Sequence, residues 1–151
     1  MHIVLVHPEI PHNTGAAGRL ALGTGSTLHL IEPLGFSLDE KQIRRVGLDY
    51  WKDVDLKVWT DWETFIRETG AERLHLCTTK ATTSLWETEF RSDDFLVFGP
   101  ETSGLSQEMR DRYADSLLRI PMASGGTRSL NLSTAIAIVL YEAQRQVGTL
   151  S

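Results

Sequence analysis

The chain has 151 residues and a formal net charge of −5, from 15 basic and 20 acidic side chains. Hydrophobic residues make up 41% and charged residues 23%, which is typical of a globular domain and excludes a mainly disordered chain. The single cysteine, Cys77, excludes internal disulfides and thiolate metal clusters. No apolar run approaches the roughly 20 residues that a membrane span needs. We therefore expect one domain over 1–151, without a leader peptide or membrane contact, in the cytoplasm.

Six short apolar runs recur along the chain, separated by amphipathic or glycine-bearing stretches. Continuous apolar runs, rather than alternating ones, are typical of strands buried on both faces of a parallel sheet. The alternation of strands and helices predicts an α/β fold with a mostly parallel sheet and helices on both faces. The predicted strands are 3–6, 28–31, 56–59, 74–77, 95–98 and 117–120.

Capping signals mark the predicted helices. Asn13 or Thr14 is predicted to cap a helix after the first strand. The segment Thr60–Glu63 has the pattern of a capping box, and Gly70 is the predicted stop of the helix that follows. Ser106 is predicted to cap another short helix.

The predicted final helix, 133–146, is apolar almost all round. One stripe carries small and aliphatic residues at helical spacing, and the other side carries Ala137, Ile138 and Tyr141. Two interpretations are open: the helix is buried against its own sheet, or it forms a subunit interface. We favour the interface, because few elements remain to cover a second face.

Several common catalytic motifs are absent. The chain has no GxxxxGK[ST] sequence, no GxGxxG after the first strand and no GxSxG turn. His7 and His12 fall in a predicted proline-containing loop, and His29 and His75 fall within predicted strands. We expect the two loop histidines to be solvated rather than metal ligands, and the two strand histidines to be hydrogen-bonded structural residues rather than bases.

A proline-rich loop, 8–19, follows the first predicted strand and leads into a helix. The N-terminus of that helix offers backbone N–H groups to a phosphate, and Arg19 lies about a turn and a half into it. The alternative, a capped surface helix with a solvated arginine, is equally open.

Two further loops, 98–106 and 120–133, also follow predicted strands. Ligands bind at the carboxyl ends of strands in open α/β sheets. Glu101 is placed there to accept hydrogen bonds from a neighbouring loop or from a substrate hydroxyl. Ser129 and Asn131 precede the final helix, and we favour a binding loop over simple caps because one N-cap needs only one such residue.

Three motifs in these loops resemble those of the SPOUT superfamily of RNA methyltransferases. They are Asn-x-Gly-x-x-x-Arg at 13–19, Phe-Gly-Pro-Glu-x-x-Gly-Leu at 98–105, and Ile-Pro-Met…Ser-Leu-Asn-x-Ser-x-Ala at 120–135. Segments 31–36 and 47–50 look like the small TrmL-type (YibK-like) branch, the tRNA (cytidine/uridine-34)-2′-O-methyltransferases. The resemblance covers essentially the whole chain. It implies a C-terminal deep trefoil knot, the SPOUT α/β knot. Such knots are an exception, because protein chains are generally not knotted.

The resemblance also implies a cofactor, S-adenosyl-L-methionine, and no metal. It further implies a homodimer in which each active site is completed at the interface. By matching position, the residues expected to bind the cofactor are Cys77, Thr78, Gly99, Glu101, Gly104, Ile120, Met122, Ser129 and Leu130.

The reaction implied by the resemblance is methyl transfer to the ribose 2′-hydroxyl of the wobble nucleotide, in the anticodon region of tRNA. Related enzymes are proposed to use the arginine of the first motif as a base, and Arg19 matches it. A guanidinium does not readily give up its proton to act as a base, so we favour a role in positioning the phosphate and hydroxyl. The other expected catalytic residues, which support the loops and the ribose, are Asn13, Glu101, Ser129 and Asn131.

Basic side chains are the candidates for RNA contacts, because affinity for RNA depends on neutralising phosphates. They are Arg44, Arg45 and Lys52 in one basic segment, with Arg128 in the third loop. Two other functions remain open: methylation of another RNA position, and a non-catalytic RNA- or nucleotide-binding relative. The joint presence of the expected catalytic residues weighs against the second.

Overall fold

Six parallel strands form one sheet in the computed structural model, which describes residues 1–39 and 49–151. In chain order the strands are β1 (His2–Val6), β2 (Thr27–Ile31), β3 (Leu56–Trp59), β4 (Leu74–Cys77), β5 (Phe95–Phe98) and β6 (Leu117–Leu118). Their spatial order is β3-β2-β1-β5-β4-β6, and every neighbouring pair is parallel. The predicted parallel α/β sheet is confirmed.

Helices cover both faces of this sheet. The described α-helices are α1 (Pro11–Thr24), α2 (Trp62–Thr69), α3 (Gln107–Arg112) and α4 (Leu132–Val147). Apolar side chains of α1 and α4 share one core cluster with Ile3 and Leu5. Phe65 of α2 shares the opposite cluster with Val4 and Val6, since successive side chains of β1 point to opposite faces.

The last strand is shorter than predicted. The apolar run 117–120 yields only the two-residue β6, because the chain at Arg119 leaves β4 for a different neighbour. The Arg119 N–H donates to Thr83 O, and the Leu85 N–H donates to Arg119 O. The connection after β4 therefore lies alongside the segment that leaves β6.

Two of the predicted helix starts are wrong. Helix α1 begins at Pro11 with Ile10 as N-cap, so neither Asn13 nor Thr14 caps it. Proline suits the first helical position because its missing N–H would be unpaired there. Helix α2 is capped by Asp61, whose carboxylate accepts from the Thr64 N–H at 2.7 Å, rather than by Thr60.

Other helix boundaries match the sequence. Gly70 ends α2 in the left-handed conformation, at φ 63°. Ser106 caps α3 by accepting from the Met109 N–H at 3.2 Å. None of the helices in the described ranges is long and apolar enough to cross a membrane.

Helix α4 uses one face to cover its own sheet. Ile136, Val139 and Leu140 are buried in the core shared with α1. On another side, Tyr141 is 48% exposed. The interpretation that α4 packs on its own sheet is therefore correct for one face, and the second face remains available to a partner.

Candidate functional site

A cavity of about 460 Å³ lies at the carboxyl edge of the sheet, walled by the loops that follow β4, β5 and β6. Its size lies within the range of pockets for small-molecule ligands. Every residue that the sequence predicts to bind the cofactor lies on its wall, while the contacts with a cofactor stay a prediction. These residues are Cys77, Thr78, Gly99, Glu101, Gly104, Ile120, Met122, Ser129 and Leu130.

The loop after β5 is a turn that only glycine permits at two positions. A Cβ on Gly99 would lie 2.3 Å from the Leu105 nitrogen, which is too close for two heavy atoms that are not bonded. Gly104 has φ +66°, a left-handed conformation that glycine adopts without strain. The Gly104 N–H donates to Pro100 O at 2.8 Å and closes the turn. Glycine backbone therefore contributes directly to the cavity wall.

Glu101 joins this loop to the start of α1. Its carboxylate accepts from the Glu9 N–H at 2.7 Å, the Ile10 N–H at 3.1 Å and the Asn13 side-chain amide at 3.4 Å. The first N–H groups of a helix lack partners within the helix, and negative charge is favourable there. Of the two roles predicted for Glu101, the structure shows hydrogen bonding to a neighbouring loop.

Glu9 makes the reciprocal connection. Its Oε1 accepts from the Thr102 N–H at 3.0 Å and from the Thr102 hydroxyl at 2.7 Å. These bonds hold the pKa of Glu9 below its ordinary value. We call Glu9, Asn13, Glu101 and Thr102 together the glutamate clasp. It holds the first and second motif loops against each other.

The cavity wall also carries a neutral thiol. Burial raises the pKa of Cys77 to about 12, so the side chain is protonated near neutral pH and acts as an apolar surface. The part of the chain that the structure describes contains no group of three or more His, Cys, Asp or Glu residues placed to hold a metal ion.

Arg110 is a cavity residue that the sequence reasoning missed. It lies on α3 and lines the cavity, and its Nε is buried with no hydrogen-bond partner among the described residues. Lys80 lies on the same wall. The signal for Arg110 was its position, four residues after the cap Ser106 and so within the first turns of the helix that follows the second loop.

Three of the predicted catalytic residues do not line this cavity: Asn13, Arg19 and Asn131. Arg19 is exposed on α1, with its guanidinium carbon 5.5 Å from the centre of the Tyr50 ring. Asn131 caps α4, since its Oδ1 accepts from the Ser133 N–H at 2.9 Å and from the Ser133 hydroxyl at 2.6 Å. Within one chain, the five predicted catalytic residues do not meet in one cavity.

The predicted RNA contacts separate into different places. Lys52 is exposed in the turn Trp51–Asp53, whose Trp51 ring packs closely on Gly18 of α1. Arg128 lines the cavity itself. Arg44 and Arg45 lie outside the described residues.

A parallel sheet with a loop-built cavity at its carboxyl edge defines an open α/β domain that binds a ligand at the strand ends. The SpoU rRNA Methylase family model matches residues 1–141 of the chain. The chain belongs to this family.

Relatives with similar sequence cover almost the full chain. A protein of Saccharophagus degradans named tRNA (cytidine(34)-2′-O)-methyltransferase is 47% identical over 148 residues, which is 97% of this chain and 96% of that protein. A solved structure described as giving insights into 2-OH methylation of C/U34 on tRNA is 44% identical. It has a TM-score of 0.88 and covers 96% of this chain and 94% of that one.

A third comparison involves a structure with bound cofactor. The AdoMet-bound rRNA methyltransferase from Sinorhizobium meliloti is 26% identical, with a TM-score of 0.83. The alignment covers 99% of this chain and 57% of that one, so the other protein is considerably longer.

Proposed function

We propose that the chain transfers a methyl group from S-adenosylmethionine to the ribose 2′-hydroxyl of tRNA nucleotide 34, a cytidine or a modified uridine. The observation that carries this proposal is the cavity of about 460 Å³ at the carboxyl edge, walled by the second and third motif loops together with the loop after β4. Full-length relatives named for this reaction support the choice of tRNA and of position 34.

The cavity residues fit this cofactor. The Nε of Arg110, which has no partner within 1–39 and 49–151, suits a carboxylate such as that of the methionine part, because a charged donor gains most from a charged acceptor. The tight turn at Gly99 lets backbone approach a ligand closely. When bound, the cofactor supplies an electrophilic methyl group on its sulfonium sulfur. Backbone at Gly104, Ile120 and Leu130 would hold the rest of the molecule.

The protein contributes mainly position and electrostatics to this reaction. Arg19 binds an RNA phosphate and orients the 2′-hydroxyl, since its guanidinium cannot accept a proton. Lys52 lies in the turn that packs on α1, the helix that carries Arg19. Its positive charge binds the phosphates of the RNA backbone. The carboxylate of Glu101 is occupied by the clasp, so its role is to hold the loops in place.

We propose that the active unit is a homodimer. Leu22 of α1 and Tyr141 of α4 are both exposed, and the Tyr141 hydroxyl comes within 4.0 Å of a Cβ built on Gly23. These neighbouring apolar side chains are suited to a self-complementary interface. Arg19 is exposed on α1 and does not line the cavity of its own chain, which supports its action at the cavity of the partner.

We also propose that the C-terminal segment forms the trefoil knot. The supporting observation is the path at Arg119, which is hydrogen-bonded to Thr83 and Leu85 of the loop after β4. Pulling the chain from its ends tests this topology. A knotted chain gives a fully stretched length shorter than an unknotted chain of equal length, because residues stay trapped in the tightened knot.

Methylation of bulk tRNA tests the activity directly. The purified protein is incubated with labelled S-adenosylmethionine and tRNA from cells that lack its gene, and the product is mapped by mass spectrometry. We expect a 2′-O-methyl group on nucleotide 34. Label at another position would contradict the wobble assignment, and cofactor binding without label would favour a non-catalytic binding protein.

Mixed dimers test whether Arg19 acts across the interface. Arg19→Ala should bind S-adenosylmethionine normally and lose most methyl transfer, and Gly99→Val should lose cofactor binding because its side chain collides with the turn. Mixing the two should restore about a quarter of wild-type activity, because half of the dimers are mixed and each holds one intact site. No recovery from dimers shown to exchange subunits would place Arg19 in the site of its own chain.

A further inference from the structure

A second cavity, of about 310 Å³, lies beside the first at the carboxyl edge. The two cavities share Pro100, Thr102 and Ser103, so the loop after β5 is a common wall between them. The opposite wall of the second cavity comes from the ends of β1 and β2. Its residues there include His7, Glu9, Pro33 and Leu34.

The wall formed by the loop after β2 is held firmly. The Gly35 N–H donates to Pro8 O at 2.9 Å. A Cβ on Gly35 would lie 2.8 Å from the Glu9 Cα, so the two segments touch through backbone. The cavity is therefore formed before any ligand enters.

His7 has an unusual backbone conformation at this cavity. Its φ is +50°, and it is the only non-glycine residue with positive φ in the described ranges. Such residues are uncommon and concentrate at functional sites. The conformation places Nδ1 3.3 Å from Ile31 O.

This contact determines which ring nitrogen carries the hydrogen. A carbonyl oxygen only accepts, so Nδ1 must donate, and in the neutral imidazole Nε2 is then a hydrogen-bond acceptor. No hydrogen-bond partner of Nε2 is found among residues 1–39 and 49–151. His7 therefore offers the cavity wall a free acceptor.

The rest of the lining matches one kind of ligand. Glu9 adds a carboxylate to the wall. The N–H and the hydroxyl of Thr102 already donate to Glu9, so they are not available to a ligand. Pro33, Leu34 and Pro100 supply apolar surface. Apolar walls with acceptors suit a flat base that carries an amino group. Cytosine presents an N4 amino donor where uracil presents an O4 acceptor.

We propose that this cavity receives the base of the methylated nucleotide, and that His7, aided by Glu9, favours cytosine over uracil through the cytosine 4-amino group, so that uridine is the weaker of two substrates. The inference rests on the proposed function. A base in this cavity would bring its ribose to the shared wall, next to the cavity assigned to the cofactor. His7 is thus a specificity-determining residue, and its replacement changes the choice of base rather than the cofactor affinity.

Three full-length tRNAs assembled by ligation test this inference. They differ only at nucleotide 34, which is cytidine, uridine or the 2-pyrimidinone nucleoside that lacks any 4-substituent. The value of kcat/KM is measured for all three RNAs under the same conditions. We expect the wild-type protein to favour cytidine over both other nucleotides by about tenfold, the typical effect of one base-specific hydrogen bond.

His7→Gly removes the imidazole, and glycine tolerates the positive φ. Its kcat/KM for cytidine should fall to the 2-pyrimidinone value, while the 2-pyrimidinone value and the dissociation constant for S-adenosylmethionine stay unchanged. His12→Ala, an exposed histidine on α1, is the matched control and should retain the wild-type ratio.

Two results would overturn the assignment of His7. One is a cytidine-to-pyrimidinone ratio that is the same in His7→Gly as in the wild type. The other is an equal loss on all three RNAs, which indicates a structural effect. If the wild-type protein binds the cofactor but methylates none of the RNAs, the proposed function fails, and the inference fails with it.

Discussion

Two carboxylates, one at each end of β5, accept several hydrogen bonds each but have different roles. Asp94 precedes β5 and accepts from Arg73 at 2.7 and 3.1 Å, from His75 at 2.7 Å and from the Arg91 N–H at 2.8 Å. Glu101 follows β5 and accepts from the segment that begins α1. Asp94 thus joins the starts of neighbouring strands, whereas Glu101 aligns loops beside a cavity.

Among the described residues, buried polar side-chain atoms in the structural regions have hydrogen-bond partners, whereas some of those near the cavity have none. His29 is buried, but Trp59 Nε1 donates to its Nδ1 at 3.0 Å, so its Nε2 donates to His2 at 3.0 Å. In the described ranges, the buried side-chain atoms without a partner are Thr14 Oγ1 and Arg110 Nε. Both lie on helices that follow motif loops at the carboxyl edge. Unpaired buried groups are costly, which makes them useful markers of a ligand site.

Asp94→Asn should have the largest effect on stability. The asparagine amide has the same shape as the carboxylate, but its NH₂ group replaces one acceptor oxygen. The side chains of Arg73 and His75 then lose part of their hydrogen bonding. We expect the free energy of unfolding to fall by about 2–3 kcal/mol, less than for a fully buried ion pair because Arg73 is partly exposed. Urea unfolding measures the change. A normal unfolding free energy, or weaker cofactor binding by the folded variant, would contradict the structural role.

Acid should destabilise the protein through its buried histidines. Burial, with smaller effects from His2 and Lys57, lowers the pKa of His29 to about 3. Between pH 6.5 and 3 the unfolded chain therefore binds a proton that the folded chain does not. The free energy of unfolding decreases as the pH is lowered through this range. The loss from His29 alone is about 2 kcal/mol at pH 5. Burial also lowers the pKa values of His2 and His75, which adds to the effect.

Unfolding titrations from pH 7 to pH 5 test this contribution against His29→Gln. The variant keeps an acceptor for Trp59 but cannot titrate in this range. Its unfolding free energy should depend less on pH, even though its stability at pH 7 is lower. The same slope in both proteins would show that His29 is not responsible.

Glu101→Gln should affect the cavity more than the fold. The amide has one acceptor oxygen for the three donors that the carboxylate now serves, so the clasp loosens. We expect a stability loss of about 1 kcal/mol and cofactor binding weakened by about tenfold. Calorimetric titration with S-adenosylmethionine measures the binding. Unchanged affinity would mean that the clasp does not shape the cavity.

Glu63→Ala provides the smallest effect and the reference for the others. Glu63 pairs with Arg112 on the surface between α2 and α3, and the bonds from Arg112 hold the pKa of Glu63 below its ordinary value. Exposed pairs contribute little because water and salt screen them. We expect no measurable change in Tm or in cofactor binding. A clear drop would show that this pair is more than a surface contact.

Much of the fold could be predicted because it depends on local patterns. Five apolar runs became strands with nearly the predicted bounds. For the central strands β1 and β5 the reason is that a strand buried on both faces must be apolar. Helix starts were less predictable. Asn13 looks like a cap, but Glu101, distant in sequence, accepts from the backbone at that helix start instead.

The candidate site was predictable in composition but not in arrangement. The resemblance to the SPOUT superfamily implied, by matching position, the residues expected to bind the cofactor. All of them line the cavity at the carboxyl edge, because they follow parallel strands that end there. Asn131 caps α4, which is the less favoured of the two interpretations that the sequence offered. The sequence did not predict that Arg19 would lie outside the cavity of its own chain. Arg110 was not predicted because an arginine on a short, mostly polar helix normally faces water.

The amino-acid sequence by itself determined the parallel sheet, the order of its elements and the three motif loops, because these follow from runs of apolar residues and from short-range spacing. Only the tertiary structure decided which polar groups are paired. The glutamate clasp and the Asp94 cluster depend on residues far apart in the chain. The same holds for the Nε of Arg110 and the Nε2 of His7, which have no partner in the part of the chain that the structure describes. Hydrogen bonds act over about 3 Å, so their partners are defined only once the chain has folded.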